Sequence, residues 1–307
     1  MIDSPKSRLL PKEAQWSFPF SICCLVSNWS SYQDARGKFA ASGFTEENSE
    51  FLVCDNSEVN KFNAFEACRI FLREARGRYV LIAHQDAYPL ESVDKLLQLL
   101  LELEKADPAW GIIGNAGVTA KKWPLQMGAL KMPNVALSLD KPFKQVSVVD
   151  ENAIIVRNGC GITVSSDLTG YHFYGLDICS VASRLGLHSY VLDYLWYHAS
   201  EGSIGREFFA SKRLLQSKLA AHYAETELPT TCTYVSWSPS VWKRAVSLSK
   251  SLLQIIRRPQ HREARRELIG EGLRNPLFLA AFGITAITTI PKVLRKKMRA
   301  RRCTTIK

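Results

Sequence analysis

Short apolar runs alternate with amphipathic stretches over residues 18–114. Apolar runs bounded by turn residues predict buried strands, and they lie at Phe20–Ser27, Phe51–Cys54, Tyr79–Ala83 and Trp110–Gly114. Apolar residues at three-to-four spacing, with Gly near the ends, predict helices, and these lie at Tyr32–Ser42, Asn60–Ala75 and Ser92–Lys105. Strands alternating with helices at this spacing indicate an α/β fold with a mainly parallel sheet flanked by helices.

The alternation is interrupted after residue 114. Residues Ala116–Val146 show no clear period and predict a long irregular excursion. Two short strands, Val146–Val149 and Ala153–Val156, surround Asp150-Glu151-Asn152 and predict a hairpin. A helix from about Gly175 to Leu185 and a last strand at Ser189–Leu195 complete this part of the chain.

The basic charge is concentrated near the C-terminus. Residues 201–307 hold 21 of the 40 Lys and Arg but only 7 of the 29 Asp and Glu, a local charge of +14, which leaves 19 against 22, or −3, for residues 1–200. Ser240–Arg258 is amphipathic and basic, and residues 275–291 are uncharged and precede KVLRKKMRARR. We expect an interfacial helix on anionic lipid; a short span, a re-entrant hairpin or a solvated tail are the alternatives.

The cysteines and the first residues bear on the compartment. The eight cysteines form no C-x-x-C pair and no zinc spacing, and several lie inside apolar runs, where free cysteine behaves as a small buried hydrophobe. This favours a reducing compartment over a disulfide framework. The start MIDSPKSRLLPKEAQW has no apolar core of a signal peptide. We therefore expect the body of the protein to be cytoplasmic.

Polar clusters stand at or just after the ends of predicted strands or before a predicted helix. They are Asp55-Asn56-Ser57, His84-Gln85-Asp86, the segment YHFYGLD ending at Asp177, and His198-x-Ser200-x-Gly202. Taken alone, the candidate residue of each cluster could also be an ordinary turn residue, a helix cap or a surface histidine. Ligands of open α/β sheets bind at the carboxyl ends of the strands, so together these clusters predict one crevice holding carboxylates and a histidine.

These residue types suit the chemistry of a diphosphate. Carboxylate and imidazole can hold a divalent cation that neutralises phosphate charge, and a second carboxylate can serve as general base toward a hydroxyl. The chain contains no G-x-x-x-x-G-K-[ST], no G-x-G-x-x-G and no G-x-S-x-G. Their absence argues against a P-loop NTPase, an ordinary dinucleotide enzyme and an α/β-hydrolase.

The order DNS, HQD, YHFYGLD and HxSxG resembles the family-2-type GT-A glycosyltransferases, in the branch with HQD in place of DxD. The resemblance covers about residues 18–215, with residues 1–17 as an N-terminal extension and 216–307 as a helical, basic, membrane-associating region outside it. It implies a GT-A, Rossmann-like fold and an inverting transfer of a sugar from a nucleotide-sugar donor by a single displacement.

The resemblance also implies roles for single residues. Asp177 would be the base, Asp86 and His198 would ligate Mn²⁺ or Mg²⁺, and the residues expected on the donor side are Asp55, Asn56, His84, Gln85 and Asp86. The pattern departs from the family where His84 replaces the first aspartate of DxD and where Asp177 stands without a second acidic residue.

Residues near the predicted base and donor complete the expected site. Tyr171 and His172 are candidate acceptor contacts, with core packing as the alternative. The loop Ser200–Gly205 could close over the donor, or it could be an ordinary connector.

Three functions compete at this point. The first is a glycosyltransferase peripheral on the inner face of the cell membrane, with a glycan or lipid-linked acceptor, in cell-surface polysaccharide or glycolipid synthesis. The second is a catalytically degenerate GT-A domain that serves as a scaffold or partner subunit. The third is binding of nucleic acid through the basic tail, although the body has no recognisable reader motif and we expect no nucleic acid.

Overall fold

A computed structural model describes residues 15–119, 127–133, 135–200, 202, 204–256 and 262–288. The helices within these ranges, besides a helical stretch at 278–288, are α1 (Trp29–Ala41), α2 (Ala64–Glu74), α3 (Val93–Ala106), α4 (Tyr174–Arg184), α5 (Arg206–His222), α6 (Val241–Ile255) and α7 (Arg262–Leu273). The strands are β1 (Phe18–Val26), β2 (Ser49–Asp55), β3 (Gly77–Ala83), β4 (Ala87–Pro89), β5 (Trp110–Gly114), β6 (Ala116–Val118), β7 (Met127–Gly128), β8 (Leu130–Met132), β9 (Val135–Leu137), β10 (Phe143–Val146), β11 (Val148–Val149), β12 (Ala153–Arg157), β13 (His188–Leu192), β14 (Trp196–His198), β15 (Thr226–Pro229) and β16 (Tyr234–Trp237).

The central sheet has seven strands in the order β10-β13-β5-β12-β3-β1-β2. Strands β2, β1, β3, β5 and β13 run in one direction, and β12 and β10 run against them. The predicted α/β class, with a mainly parallel sheet flanked by helices, is confirmed. The strands predicted in the first half of the chain lie in this sheet.

The predicted hairpin around residues 150–152 is wrong. Strand β11 pairs with β6, whereas β12 pairs with β3 on one side and with β5 on the other. The reason is burial, because the first four side chains of β12 are buried and a central strand covered on both faces buries such a run. The turn residues before β12 therefore lie at the carboxyl edge of the parallel strands.

The predicted irregular excursion Ala116–Val146 contains short strands that the sequence did not reveal. Strands β8 and β9 pair with each other and join β14 and β4 in a four-stranded sheet, and β6 lies between β11 and β7 in a three-stranded one. These strands are two or three residues long, too short to show a period. Residues 120–126 and 134 lie outside the described part.

Helices cover both faces of the central sheet. Helix α3 buries Leu96, Leu99, Leu100 and Leu103 on one face. Helix α2, on the other face, begins with a capping box in which Asn63 and Glu66 satisfy each other's backbone N–H groups. The two predicted helices at these positions are confirmed, within the usual difference of a few residues at each end.

The C-terminal elements pack onto the rest of the chain. Helix α5 contains residue 215, so the domain boundary expected there would divide a helix. Helix α6 buries Ala245, Leu248 and Leu252 in the middle of the predicted amphipathic segment, whereas its apolar residues Val241 and Ile256, at the two ends, are exposed. Among the residues that the structure describes, no helix is both long enough and apolar enough to cross a membrane. The predicted interfacial segment 275–291 is described as far as residue 288.

Candidate active site

A cavity of about 1080 Å³ opens at the carboxyl edge of the parallel strands. Its lining comes from the ends of β1, β2 and β3, from the residues before β12, and from the segments after β14 and between β15 and β16. Polar side chains that line it include Ser27, Asn56, His84, Gln85, Asp86, Asp150, Glu151, Asn152, Tyr171, His172, Tyr174, His198 and Ser200. Its size is that of a pocket for a substantial small molecule.

Three side chains at one wall of the cavity converge. His198 Nε2 lies 3.3 Å from Asp86 Oδ1 and 3.3 Å from His84 Nδ1. One ligand atom from each of the three residues lies within 4.8 Å of the others. His198 Nε2 is also 3.3 Å from Ser200 Oγ. We call His84, Asp86 and His198 the triad.

The backbone explains why residues so far apart in sequence meet here. Strand β14 pairs antiparallel with β4, with His198 opposite Ala87. The N–H of Ala199 donates to the carbonyl of Asp86 at 3.1 Å. This hydrogen bond holds the segment before β4 against the segment after β14 at the level of the triad. His84 follows β3 directly, and its N–H donates to the carbonyl of Asn152 at 3.0 Å.

The tautomer of His84 follows from its neighbours. The hydroxyl of Tyr174 donates to the carbonyl of Glu151 at 2.8 Å. Because a phenol has one proton, the same oxygen must accept from His84 Nε2, which is 3.2 Å away. His84 Nδ1 is then left with its lone pair facing His198 and Asp86.

The protonation states suit a cation at the triad. Burial, and secondarily His198, lowers the pKa of His84 to about 4, so its imidazole is neutral near neutral pH. Burial opposes ionisation of Asp86, but the hydrogen bond and charge of His198 prevail and lower the pKa of Asp86 to about 2. The neutral imidazole of His84, the ionised carboxylate of Asp86 and Nε2 of His198 form a donor set that divalent metals accept, with the cation taking the place of any proton on the ligating nitrogen.

His198 has no other polar anchor in the described part of the chain. The residue is 1% exposed, and its Nδ1 has no hydrogen-bond partner there. Its described polar contacts are therefore all made by Nε2, toward the triad and Ser200. The residues present thus fit the metal that the sequence led us to expect, and His84 joins the expected ligands Asp86 and His198.

Gln85 lies between two triad residues but its amide faces the protein. Gln85 Oε1 accepts from the N–H groups of Ser27 and Asn28, both at 2.8 Å, and Nε2 donates to Ser27 Oγ at 3.0 Å. Asn28 in turn caps α1. Gln85 therefore holds the loop after β1 against the loop after β3, at the cavity wall.

The predicted residues after β2 have different positions. Asn56 lines the cavity, and its side chain organises the following loop through the N–H groups of Lys61 and Phe62 and the carbonyl of Phe62. Asp55 is not part of the cavity lining. Its carboxylate accepts from the N–H of Ser57, and this hydrogen bond is the main reason why the pKa of Asp55 is lowered.

Tyr171 and His172, the predicted acceptor contacts, both line the cavity. The hydroxyl of Tyr171 donates to the carbonyl of Phe62 at 3.1 Å, while the residue as a whole is 38% exposed. His172 packs edge-on against Phe208, with the ring centroids 5.2 Å apart. Burial lowers the pKa of His172. Both rings are available to a ligand in the cavity.

The structure does not bring Asp177 to the cavity. The residue lies in the first turn of α4, is 3% exposed and does not belong to the cavity lining. Ser165 donates to its two carboxylate oxygens from the backbone N–H and from Oγ, each at 2.7 Å. Asp177 thus anchors the segment before α4, and the base predicted from the sequence is separated from the predicted donor residues.

Two acidic residues that the sequence interpretation missed do line the cavity, namely Asp150 and Glu151. Glu151 Oε1 accepts from the N–H of Gly175 at the start of α4, at 3.2 Å. Burial, followed by the charge of Asp150, raises the pKa of Glu151 to about 8. The signal was visible as three polar residues between apolar runs, but the hairpin interpretation assigned them to a turn.

No family model matches the chain. A protein of Fuscovulum blasticum named ATP synthase subunits region ORF 6 is 30% identical over 211 residues, which is 65% of this chain and 82% of that protein. Two solved structures cover most of the chain. TarS 1–349 of S. aureus has 13% identity and a TM-score of 0.46, over 86% of this chain and 81% of that one. The mannosyltransferase PcManGT of Pyrobaculum calidifontis, solved with GDP-Man and Mn²⁺, has 13% identity and a TM-score of 0.42, over 97% and 84%.

Proposed function

The chain belongs to the same family as the Fuscovulum blasticum ORF 6 protein, whose name states no activity, and from the cavity itself we propose that it is a metal-dependent glycosyltransferase. The donor would be a nucleotide sugar and the metal Mn²⁺ or Mg²⁺. The observation that carries this proposal is the triad on the wall of a cavity of about 1080 Å³. The motif order DNS, HQD, YHFYGLD and HxSxG supports it.

On the donor side the residues have two roles, binding of the cation and positioning of the loop after β1. His84, Asp86 and His198 would hold the cation, which when bound supplies positive charge to the diphosphate of the donor. Gln85 positions the loop after β1, where Ser27 lines the cavity together with the predicted nucleotide-binding residue Asn56, whereas the predicted Asp55 lies outside the lining. Because the cavity contains no Lys or Arg in its described lining, a bound metal would be the main source of positive charge for the diphosphate.

The acceptor side requires a base, and Glu151 is better placed for that role than Asp177. In a single displacement the acceptor oxygen attacks the anomeric carbon, the bond to the diphosphate breaks, and the hydroxyl proton passes to the carboxylate. The pKa of Glu151, about 8, is close enough to neutrality for proton transfer in either direction. Tyr171 and His172 would contact the acceptor from the neighbouring wall.

We place the protein on the inner face of the cell membrane, acting on a lipid-linked or other glycan acceptor in the synthesis of a surface polysaccharide or glycolipid. The support is the local charge of +14 over residues 201–307. Polybasic segments bind anionic lipid headgroups, at about 1 kcal/mol per Lys or Arg near the surface.

A thermal-shift panel tests the donor assignment. UDP, GDP, CMP and dTDP are added with and without Mn²⁺ to the wild type and to Asp86→Asn. A nucleotide at one hundred times its dissociation constant stabilises the folded state by about 2.7 kcal/mol. We expect one nucleotide to stabilise the wild type only with Mn²⁺ and to have no effect on Asp86→Asn.

Two other results would change the assignment. Stabilisation of the protein by a nucleotide without metal would support a nucleotide site but would show that the triad is not its cation site. No shift with any nucleotide, in a protein that melts cooperatively, would favour a scaffold or partner subunit without catalytic activity.

A further inference from the structure

The helical stretch 278–288 has two apolar faces. Phe278, Ala281 and Thr285, at three-to-four spacing, are at most 7% exposed and pack against the body. The opposite face carries Leu279, Ile284 and Ile287, which are 72%, 53% and 75% exposed. No charged residue occurs in 275–291. A helix that is apolar on all sides belongs in an apolar environment, and this one has such an environment on one side only.

The exposed apolar surface continues onto α6. Asn275 Nδ2 donates to the carbonyl of Val241 at 3.0 Å, which joins the turn before 278–288 to the beginning of α6. Val241 and Trp242 are there 37% and 38% exposed, and Leu277 in the turn is 39% exposed. We call Val241, Trp242, Leu277, Leu279, Ile284 and Ile287 the apolar face. Contiguous exposed patches of this kind mark interaction sites.

The charge of the sequence that follows the apolar face indicates which kind of surface covers this face. Every charged residue in 272–307 is Lys or Arg, and the residues that follow the apolar face in sequence read KVLRKKMRARR. Leucine and isoleucine exposed to water are stabilised by apolar surroundings, whereas a run of cationic side chains is stabilised by anionic ones. A surface that is apolar inside and anionic at its boundary satisfies both, and tryptophan is enriched at that boundary.

We propose that the apolar face inserts into the headgroup boundary of an anionic lipid bilayer, to which the basic sequence that follows this face is attracted. This identifies the docking surface for the membrane association in the proposed function and rests on that function only for the nature of the acceptor. The stretch 278–288 then lies along the membrane surface, with one face against the protein and the other toward the lipid.

The docking surface is connected to the cavity through buried hydrogen bonds. Thr231 and Cys232, between β15 and β16, line the cavity. The next two residues are fixed to α6, because Thr233 Oγ1 donates to Ser251 Oγ at 3.2 Å and the N–H of Tyr234 donates to the same oxygen at 3.1 Å. A wall of the cavity is therefore built on the helix whose first turn belongs to the apolar face. An acceptor carried by a membrane lipid would enter along this wall.

Co-sedimentation with vesicles tests the proposal with the full chain. The vesicles contain phosphatidylglycerol and phosphatidylcholine in equal parts, and vesicles of phosphatidylcholine alone serve for comparison. The test variant is Leu279→Glu with Ile287→Glu. The matched control is Leu101→Glu with Leu185→Glu, which makes the same change in charge at leucines that are 48% and 50% exposed elsewhere. All these positions are at the surface, so we expect every variant to fold.

We expect the wild type and the control to bind the mixed vesicles, and the test variant to bind about tenfold or more weakly, because two large apolar side chains no longer enter the bilayer. Equal binding by the test and control variants would overturn the proposal, as would equal binding of the wild type to both kinds of vesicle. A wild-type dimer that becomes a monomer in the test variant, without vesicle binding, would assign the apolar face to a second copy of the chain. The nucleotide shift is independent of these results, so failure of the docking proposal leaves the donor assignment intact.

Discussion

Two carboxylates compete for the role of base, and they differ in what surrounds them. Glu151 lines the cavity, whereas Asp177 is enclosed and bound twice by Ser165. We expect Glu151→Gln to lower donor turnover by about 10²–10⁴-fold, the usual contribution of a general base. We expect Asp177→Asn to lower the free energy of unfolding by about 1–3 kcal/mol, because one donor from Ser165 loses its acceptor.

Release of nucleoside diphosphate and chemical denaturation measure these two effects separately. The control is the ability of each variant to be stabilised by nucleotide and Mn²⁺, which should survive in both. If Asp177→Asn loses turnover at full stability while Glu151→Gln keeps it, Asp177 is the base and our assignment is wrong.

The raised pKa of Glu151 also predicts how stability depends on pH. The pKa of Glu151 is about 8 in the folded protein, and in the unfolded chain it has its ordinary value of 4.5. Between these two pH values the folded protein therefore retains a proton that the unfolded chain loses. The contribution of this group to stability is therefore fully present below its ordinary pKa and is lost as pH rises through about 8. We expect Glu151→Gln to gain stability relative to the wild type over this interval, measured by denaturation at a series of pH values. A difference that does not change with pH would contradict the raised pKa.

At the scale of elements, the start of α4 depends on a residue without a side chain. A Cβ on Gly175 would lie 2.8 Å from the carbonyl oxygen of Val149 and 3.1 Å from Glu151 Cγ. We expect Gly175→Ala to lower the free energy of unfolding by about 1–3 kcal/mol through this overlap and to disturb the carboxylate of Glu151. The matched control is Gly37→Ala in α1, where a Cβ meets nothing within 4 Å.

The control substitution should change the free energy of unfolding in the opposite direction. Gly37 lies inside a helix, and alanine there should stabilise the protein by about 0.5–1 kcal/mol. Urea denaturation of both variants checks the pair. A Gly175→Ala protein as stable as the wild type would show that α4 can move away from Glu151, and the close packing would then not determine where that carboxylate lies.

The elements also show what the sequence can and cannot predict. Strands β1, β3 and β5 and helices α2 and α3 follow from local periodicity, because each buries one face or a continuous run. The placement of β12 does not follow from local periodicity. Its apolar run looks the same in a hairpin as in the centre of a sheet, and only long-range pairing with β3 and β5 distinguishes the two.

The same limit applies to the site. Asp86 and His198 were predicted from polar residues at strand ends, a rule that holds for parallel strands. Glu151 precedes an antiparallel strand, and it reaches the same edge because the start of β12 lies beside the end of β3. The enclosure of Asp177 by Ser165 depends on the path of an irregular segment, for which the sequence offers no periodic signal.

For the whole molecule, the packing of the C-terminal elements bears on cooperativity. Helix α5 runs through the expected boundary at residue 215, and the segment after β15 completes the cavity. We expect a single thermal transition by calorimetry, with equal calorimetric and van't Hoff enthalpies. Two separate transitions would instead support two domains that divide near residue 215.

The central claim is that the triad holds a divalent cation together with a nucleoside diphosphate. The most direct measurement is electron paramagnetic resonance of free Mn²⁺ during titration of the protein, with and without the nucleotide found in the thermal-shift panel. The variants are Asp86→Asn and His198→Gln. The control is Asp107→Asn, which disrupts another contact between a histidine and a carboxylate, His188 Nδ1 to Asp107 Oδ2 at 2.7 Å, outside the cavity. We predict a single bound Mn²⁺ per chain, bound more tightly with nucleotide, retained in the control and lost in both triad variants. Binding of Mn²⁺ by the triad variants as tight as that of the wild type would contradict the claim.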